Sequence, residues 1–208
     1  MNAKGLYFTV AAGLFGWSLA NASVTGVTDW NYSGAIYCYS PLWDSTGNIG
    51  IEGYQSGPAQ MSGTITTSDP QDPTLTIANT IDNDSAFPWT GYIVNVSMGT
   101  SFTILSANVT APPGWTASIT QPGAPVAGIY TGTINYVGGI PVAVAPASNS
   151  ELDFAYQVMF SGSTSYSLTE SVTPVPEPVT FGLLALGGLL LGVKALGSCR
   201  HSKQSTAV

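Results

Sequence analysis

The chain has 208 residues, of which 44% are hydrophobic and 7% are charged, and its formal net charge is −7. All eleven acidic residues lie within residues 23–178, and this segment contains no Lys, Arg or His. It therefore cannot bind nucleic-acid phosphates, use a His-dependent nucleophile or ligate zinc through His, which leaves carboxylate chemistry: glycoside hydrolysis or Ca²⁺ binding.

Residues 1–22 have the pattern of a secretory signal peptide. Lys4 supplies the positive charge, residues 5–19 form an apolar run, and Ala20 and Ala22 give the small-x-small pattern that signal peptidase recognises. Cleavage after Ala22 leaves Ser23 as the mature N-terminus. An uncleaved anchor is the alternative, although the apolar run is short for a membrane-spanning helix.

Residues 23–173 have the composition of a single exported β domain. Apolar and aromatic residues alternate with Thr, Ser, Asn or Gln, most clearly over residues 152–160, 92–98, 75–77, 115–119 and 134–136. Turn signals such as Pro112-Pro113-Gly114 and Gly138-Gly139 separate these runs. The spacing predicts eight to eleven strands in an all-β, two-layer antiparallel β-sandwich, immunoglobulin-like or jelly-roll-like. Residues 24–60 alternate less regularly and are predicted to form extra strands or a flap.

Cys38 is the only cysteine of this domain, because Cys199 lies beyond the predicted membrane helix. No intramolecular disulfide is therefore expected. Cys38 lies in a strand-like stretch, which favours a buried thiol that packs as a small apolar residue. Pairing between two chains is the alternative.

Two acidic clusters are candidate Ca²⁺ sites, one with Asp69 and Asp72 and the other with Asp82 and Asp84. Paired Asp side chains in a loop can begin the oxygen shell that Ca²⁺ prefers. Neither cluster continues into an EF-hand loop, and Asx turns at strand ends account for the same residues. The sequence therefore predicts no cofactor, with Ca²⁺ as the alternative.

Four aromatic residues are candidates for stacking on sugar rings, and three acids are candidates for glycoside hydrolysis. The aromatic residues are Phe87, Trp89, Tyr92 and Trp115, and the acids are Glu52, Glu151 and Glu170. Aromatic residues in a β-sandwich more often fill the core. A glycosidase needs two carboxylates facing each other across a cleft, and the spacing of these acids selects no pair. We therefore expect a protein that is not an enzyme.

The C-terminus has three consecutive parts. The first is the motif Val175, Pro176, Glu177 and Pro178. The second, residues 179–196, is an apolar run rich in Leu and Gly, with Lys194 as its only charge. As a helix it is about 27 Å long, close to the ~30 Å thickness of a hydrocarbon core, so we predict a transmembrane helix. The third part, residues 197–208, contains Arg200 and Lys203, which favour a cytoplasmic end.

This order of motif, helix and basic tail, over residues 174–203, resembles the PEP-CTERM sorting signal of exported bacterial proteins. The positive charges here are spaced more widely than in the Arg cluster at which that signal usually ends. The resemblance implies a substrate of an exosortase, a membrane-embedded processing enzyme of Gram-negative bacteria. A plain membrane anchor is the alternative.

The sequence thus predicts a non-enzymatic exported surface or extracellular-matrix protein. Its precursor is held in the inner membrane by the C-terminal helix, and its product belongs to the cell envelope, the outer surface or the extracellular space. The expected partners are an exosortase-type enzyme, the membrane and exopolysaccharide of the biofilm, but not nucleic acid. An exopolysaccharide-binding β-sandwich module is the alternative function.

Overall fold

The computed structural model describes residues 23–69, 74–160 and 162–177. These residues form an all-β fold, as predicted, and their only helical turn is a 3₁₀ turn at Ser106–Asn108. The ten strands are β1 (Val24–Cys38), β2 (Leu42–Trp43), β3 (Asn48–Thr67), β4 (Thr74–Asn83), β5 (Trp89–Met98), β6 (Phe102–Ile104), β7 (Trp115–Thr120), β8 (Tyr130–Val142), β9 (Glu151–Phe160) and β10 (Ser165–Pro176).

Four of the five alternating runs lie in strands whose apolar residues are buried, whereas in the run 115–119 Ala117 is exposed and Ile119 is half-buried. In β9, for example, Leu152, Phe154, Tyr156, Val158 and Phe160 are buried while the residues between them are exposed or half-buried. Successive side chains of a strand point to opposite faces, so this pattern buries one face. The predicted core face of this strand is therefore confirmed.

The strands form one mixed sheet in the order β6-β9-β4-β3-β10-β5-β8-β7, with β1 and β2 paired to β3. Strand β3 is shared: Asn48–Gln55 pair with β4, whereas Ala59–Thr66 pair with β10. The pairing of β3 with β4 is parallel, so the prediction of a purely antiparallel sheet is wrong. A parallel neighbour is possible here because β3 is long and curved, and the chain after it returns to the start of β3.

One of the irregularities in the β1–β3 pairing lies between the two halves of β3. Gly34 of β1 has φ +86°, and a β-carbon there would lie 2.7 Å from the Pro58 carbonyl oxygen, so only glycine fits. The β1–β3 register shifts at the same point, between Gly34 and Ile36. Such bulges bend a sheet, and this bend brings the end of β3 back towards its start.

The sheet folds over so that its two halves face each other across the core. Tyr92 of β5 and Tyr136 of β8 both contact Phe154 of β9, with ring centroids 5.2 and 5.0 Å apart. Strand β9 is not a neighbour of β5 or β8 in the sheet, so these contacts cross the interior. The result is a nearly closed all-β fold.

Two edge strands complete this closure through a side chain. Strands β6 and β7 lie at opposite ends of the strand order. Gln121, directly after β7, accepts a hydrogen bond from the Ile104 backbone N–H of β6 at 2.9 Å and donates one to the Ile104 carbonyl at 2.7 Å. Its amide thus takes the place of a neighbouring strand for Ile104.

The predicted turn at Gly138-Gly139 is wrong, because both glycines lie inside β8. The Trp115 ring of β7 packs directly over Gly138, where a β-carbon would lie 2.1 Å from the ring. The Trp115 indole N–H also donates to the Ile140 carbonyl at 3.0 Å. Glycine here provides room for the ring within a strand, as glycine in strands often does.

The predicted boundary at residue 173 also differs from the structure, because β10 continues through Pro174 and Val175 to Pro176. Pairing of β10 with β3 ends at Val172, and beyond it the strand pairs with β5. Prolines lack the N–H that a second neighbour needs, and they are tolerated where a strand is paired on one side. The first residues after the predicted boundary are therefore part of a strand.

Candidate ligand-binding surface

The aromatic residues proposed to stack on sugars lie mainly in the core. Trp89 and Tyr92 are fully buried and Trp115 is 8% exposed, whereas Phe87 is half-buried. The Trp89 indole N–H donates to Ser85 Oγ at 3.0 Å, and the Tyr92 hydroxyl donates to Gln55 Oε1 at 2.5 Å. Their interpretation as core residues is confirmed for Trp89, Tyr92 and Trp115.

A different set of apolar side chains is exposed on β1, β2 and β3 and at the residue after β1, and we call it the aromatic surface. It consists of Tyr32, Tyr37, Tyr39, Leu42 and Tyr54, which are 38–56% exposed. Large exposed apolar patches on soluble domains commonly mark binding sites. This surface is therefore the best candidate functional site among the described residues.

Four of the tyrosines form a continuous ladder of edge-to-face contacts. The ring centroids of Tyr32 and Tyr37 are 5.8 Å apart, those of Tyr37 and Tyr39 5.7 Å, and those of Tyr39 and Tyr54 6.1 Å. The Tyr39 hydroxyl donates a long hydrogen bond of 3.4 Å to the Tyr54 hydroxyl. Edge-to-face contacts between rings are favourable, so the ladder holds itself in place.

Local alternation explains why the tyrosines face outward. In β1 the side chains of Ile36 and Cys38 are buried, and Tyr37 between them is exposed. Tyr37 pairs with Tyr54 of β3, so the two rings share the outer face. The sequence contained a signal for this outer face, because Tyr37 and Tyr39 alternate with the apolar residues Ile36 and Cys38. The bulges of β1 interrupt the alternation over the rest of the strand.

Four carboxylates continue the outer face beside the tyrosines, and we call them the acidic flank. They are Glu52 of β3, Asp82 of β4, and Glu151 and Asp153 of β9. In the first row across β3, β4 and β9, Tyr54 lies opposite Asp82, and Asp82 lies opposite Glu151. In the second row, Glu52 lies opposite Thr80, and Thr80 lies opposite Asp153. Since neighbouring strands are ~4.8 Å apart, these residues form two adjacent rows across three strands.

The carboxylates influence the adjacent tyrosine. The pKa of Tyr54 is raised to about 12. The largest causes are the hydrogen bond with Tyr39 and its proximity, followed by slight desolvation and by the charges of Asp82 and Glu52. The Tyr54 hydroxyl therefore stays neutral at physiological pH. The aromatic surface and the acidic flank thus form one site with a negative edge.

A second polar cluster lies in the closed interior around Glu170 of β10. The Asn79 amide donates to Glu170 Oε1 at 3.2 Å, whereas Glu170 Oε2, Asn79 Oδ1 and the Tyr156 hydroxyl are buried without a hydrogen bond of ordinary geometry. Burial raises the pKa of Glu170 to about 8, although Asn79 and the nearby Tyr156 hydroxyl act to lower it. The carboxyl is therefore mostly protonated at neutral pH.

Of the three acids considered for glycoside hydrolysis, Glu52 and Glu151 lie in the acidic flank, and Glu170 is separated from both. Glu170 lies in the interior, whereas Glu52 and Glu151 lie on the outer face. The buried Glu170 therefore cannot act with either of the other two across a common cleft.

Cys38 is buried, as predicted, and its Sγ lies 3.3 Å from the Met61 sulfur. Burial, followed by the charge of Glu170, raises the pKa of the thiol to about 12. The thiolate is the reactive form of cysteine, so this side chain has a structural role.

At the second acidic cluster the structure shows an Asx turn at Asn83, whereas Asp82 lies in β4 and bonds to a serine side chain. Asn83 Oδ1 accepts hydrogen bonds from the Ser85 backbone N–H at 3.0 Å and the Ser85 hydroxyl at 2.6 Å, which is an Asx turn. Asp82 Oδ1 accepts one from Ser150 Oγ at 3.1 Å, and Asp72 lies outside the described residues. Within residues 23–69, 74–160 and 162–177, no group of three or more His, Cys, Asp or Glu could hold a metal ion.

The predicted sorting motif begins inside the folded domain. Val175 pairs with Gly91 and Pro176 with Trp89, and the Glu177 backbone N–H donates to the Pro88 carbonyl at 3.0 Å. Pro178 lies outside the described residues, as do Ala20, Ala22, Lys194, Arg200, Lys203 and the predicted helix at 179–196. The helical content of the described residues includes nothing long and apolar enough to cross a membrane.

Comparison with known proteins found no matching family model, and no match among curated proteins or solved structures.

Proposed function

We propose that this chain is a non-enzymatic exported surface or extracellular-matrix protein that is sorted through a C-terminal PEP-CTERM signal. The proposal is supported by the order of motif, apolar run and basic tail after the last strand. It is also supported by a domain without Lys, Arg or His, which is poorly suited to most catalytic mechanisms. In this proposal the precursor is anchored in the inner membrane and an exosortase-type enzyme releases the β domain.

Replacement of Pro176, Glu177 and Pro178 by Ala tests the sorting signal. We expect the variant to accumulate at full length in the membrane fraction of the native cells, because the processing enzyme no longer recognises the motif. Mass spectrometry of fractionated cells gives the readout. As a control, Ser171→Ala changes the same strand without changing the motif. Unchanged maturation of the triple variant would show that the motif is not a sorting signal.

The finer architecture is part of the same proposal. We infer that the folded sheet is a two-layer β-sandwich of the immunoglobulin-like or jelly-roll-like type. The contacts of Tyr92 and Tyr136 with Phe154 support two facing layers, with β3 shared between them.

A second candidate function is favoured by the aromatic surface: binding of exopolysaccharide by the exported domain. The observation that carries it is the ladder of exposed rings at Tyr32, Tyr37, Tyr39 and Tyr54. Aromatic rings present an apolar face together with a polar hydroxyl, which suits the mixed apolar and hydroxyl surface of a sugar ring.

The tyrosine ladder can be tested by replacing Tyr37, Tyr39 and Tyr54 with Ala in the mature protein purified from native cells. We expect retention on immobilised native exopolysaccharide to fall at least about tenfold, because central aromatic residues dominate most binding surfaces. The matched control is Val126→Ala with Ile129→Ala, since these exposed residues lie in a separate turn. Equal retention of the two variants would contradict the binding function.

A further inference from the structure

The aromatic surface has a negative edge that a plain sugar-stacking surface does not need. Asp82 lies opposite Tyr54 in the β3–β4 pairing, and Glu52 lies two residues before Tyr54 on the same face. Asp82 and Glu52 are close enough to raise the pKa of Tyr54. The ring of Tyr54 and two carboxylates therefore lie side by side.

Nothing within the domain can neutralise this edge, because residues 23–178 contain no Lys, Arg or His. The Thr80 hydroxyl donates to Asp153 Oδ1 at 2.8 Å and Ser150 Oγ donates to Asp82, so these two acids have neutral partners. A ligand that covers the flank must desolvate the carboxylates, which is costly unless the ligand brings a compensating positive charge.

Charge complementarity therefore separates the classes of glycan. A polysaccharide with uronate, sulfate or phosphate groups is repelled by the flank. A neutral polysaccharide gains contact with the rings but leaves the carboxylates uncompensated. A sugar that carries an ammonium group gains an ion pair with the flank and a cation–π contact with a tyrosine face.

We propose that the aromatic surface and the acidic flank together bind a polysaccharide whose sugars carry free amino groups. The rings of Tyr37, Tyr39 and Tyr54 contact the apolar faces of the sugar units, and Glu52 and Asp82 pair with the ammonium groups. This inference rests on the proposed polysaccharide-binding function and specifies its ligand class.

The test compares oligosaccharides of equal length made of glucosamine, of N-acetylglucosamine and of glucose, by calorimetric titration of the mature protein at a pH that keeps the amine protonated. We expect the glucosamine oligomer to bind roughly tenfold more tightly than the other two, since two exposed ion pairs contribute about 1–2 kcal/mol together. We also expect this preference to weaken as salt is added.

The variant Glu52→Gln with Asp82→Asn should lose the preference for the amine while it retains weak binding to all three oligomers. Asp29→Asn is the control, because this exposed acid lies on the part of β1 that pairs with the other half of β3.

A lysine oligopeptide serves as a second ligand. If it binds as tightly as the glucosamine oligomer, charge alone is recognised and the inference is wrong.

The two proposals fail in different ways. Equal binding of the three oligosaccharides overturns the preference for amines and leaves polysaccharide binding intact. Absence of binding by all three overturns both.

Discussion

At the scale of the residue, Glu170 is the buried side chain whose ionisation matters most. It is the one carboxylic acid among the buried polar residues of the described chain. The titratable groups that face it are Cys38, Tyr92, Tyr136 and Tyr156, whose pKa values are all raised, mainly by burial. None of them offers a positive charge, so the folded state favours the neutral carboxyl.

We predict that the domain loses stability as the pH rises from about 5 to about 8. The pKa of Glu170 is about 8 in the folded state against an ordinary value of 4.5, so between these values the folded state binds one more proton than the unfolded state. Stability from this group is fully present below pH 4.5 and is lost as the pH passes 8. The loss is at most roughly 5 kcal/mol, at about 1.4 kcal/mol per pKa unit.

Urea unfolding at several pH values measures this effect. Glu170→Gln, which is neutral at every pH, should remove most of the slope, whereas Glu52→Gln on the outer face should preserve it. A wild-type midpoint that stays constant from pH 5 to 8.5 would show that Glu170 ionises in the folded state at little cost.

At the scale of the element, the strands with strict alternation were predictable and those shaped by distant contacts were not. Strands β5 and β9 follow from the alternation alone. The course of β8 through Gly138 and Gly139 could not be predicted from alternation, because Gly138 makes room for the Trp115 ring of the neighbouring strand β7. The parallel β3–β4 pair depends on the curvature of β3, which local propensity does not encode.

The candidate site was predicted only in part, for a related reason. Four aromatic residues were candidates for sugar contacts, with core packing as the favoured role, but the sequence does not say which aromatic residues face outward. Trp89 and Tyr92 are in the core, whereas Tyr37 and Tyr39 are exposed because the phase of β1 is set by the burial of Ile36 and Cys38. Bulges in β1 change which residues face outward, so the outward-facing residues can be identified only from the pairing register of β1 with β3.

We predict that Gln121→Ala exposes the edge of β6. The change removes both hydrogen bonds to the Ile104 backbone, and the cost should be about 1–3 kcal/mol because Ile104 is buried. Hydrogen exchange of the Ile104 amide should become faster, while that of Val94 in the sheet centre changes only as far as global stability does. Gln121→Glu keeps the acceptor for the Ile104 N–H but replaces the donor to the Ile104 carbonyl by a carboxylate oxygen, so it should also destabilise this edge. Unchanged exchange in the Ala variant would mean that Gln121 does not protect this edge.

At the scale of the whole molecule, charge is separated between the domain and the two ends of the chain. Residues 23–178 carry every acid, and the four Lys and Arg residues and the His lie outside them. Stability of the domain therefore comes from apolar burial and hydrogen bonds rather than ion pairs. The same uniform sign of charge gives rise to repulsion between copies of the domain.

The central position of β10 has a consequence for the timing of folding. This strand is the last within the described residues, yet it lies between β3 and β5 and joins the two halves of the sheet. In a chain that crosses a membrane starting from its N-terminus, β10 would cross after the other strands. Until then, the edges of β3 and β5 that pair with β10 would remain unpaired. If the chain is exported as proposed, the two halves of the sheet can be joined only after β10 has arrived, so the fold is completed at the end of the transfer.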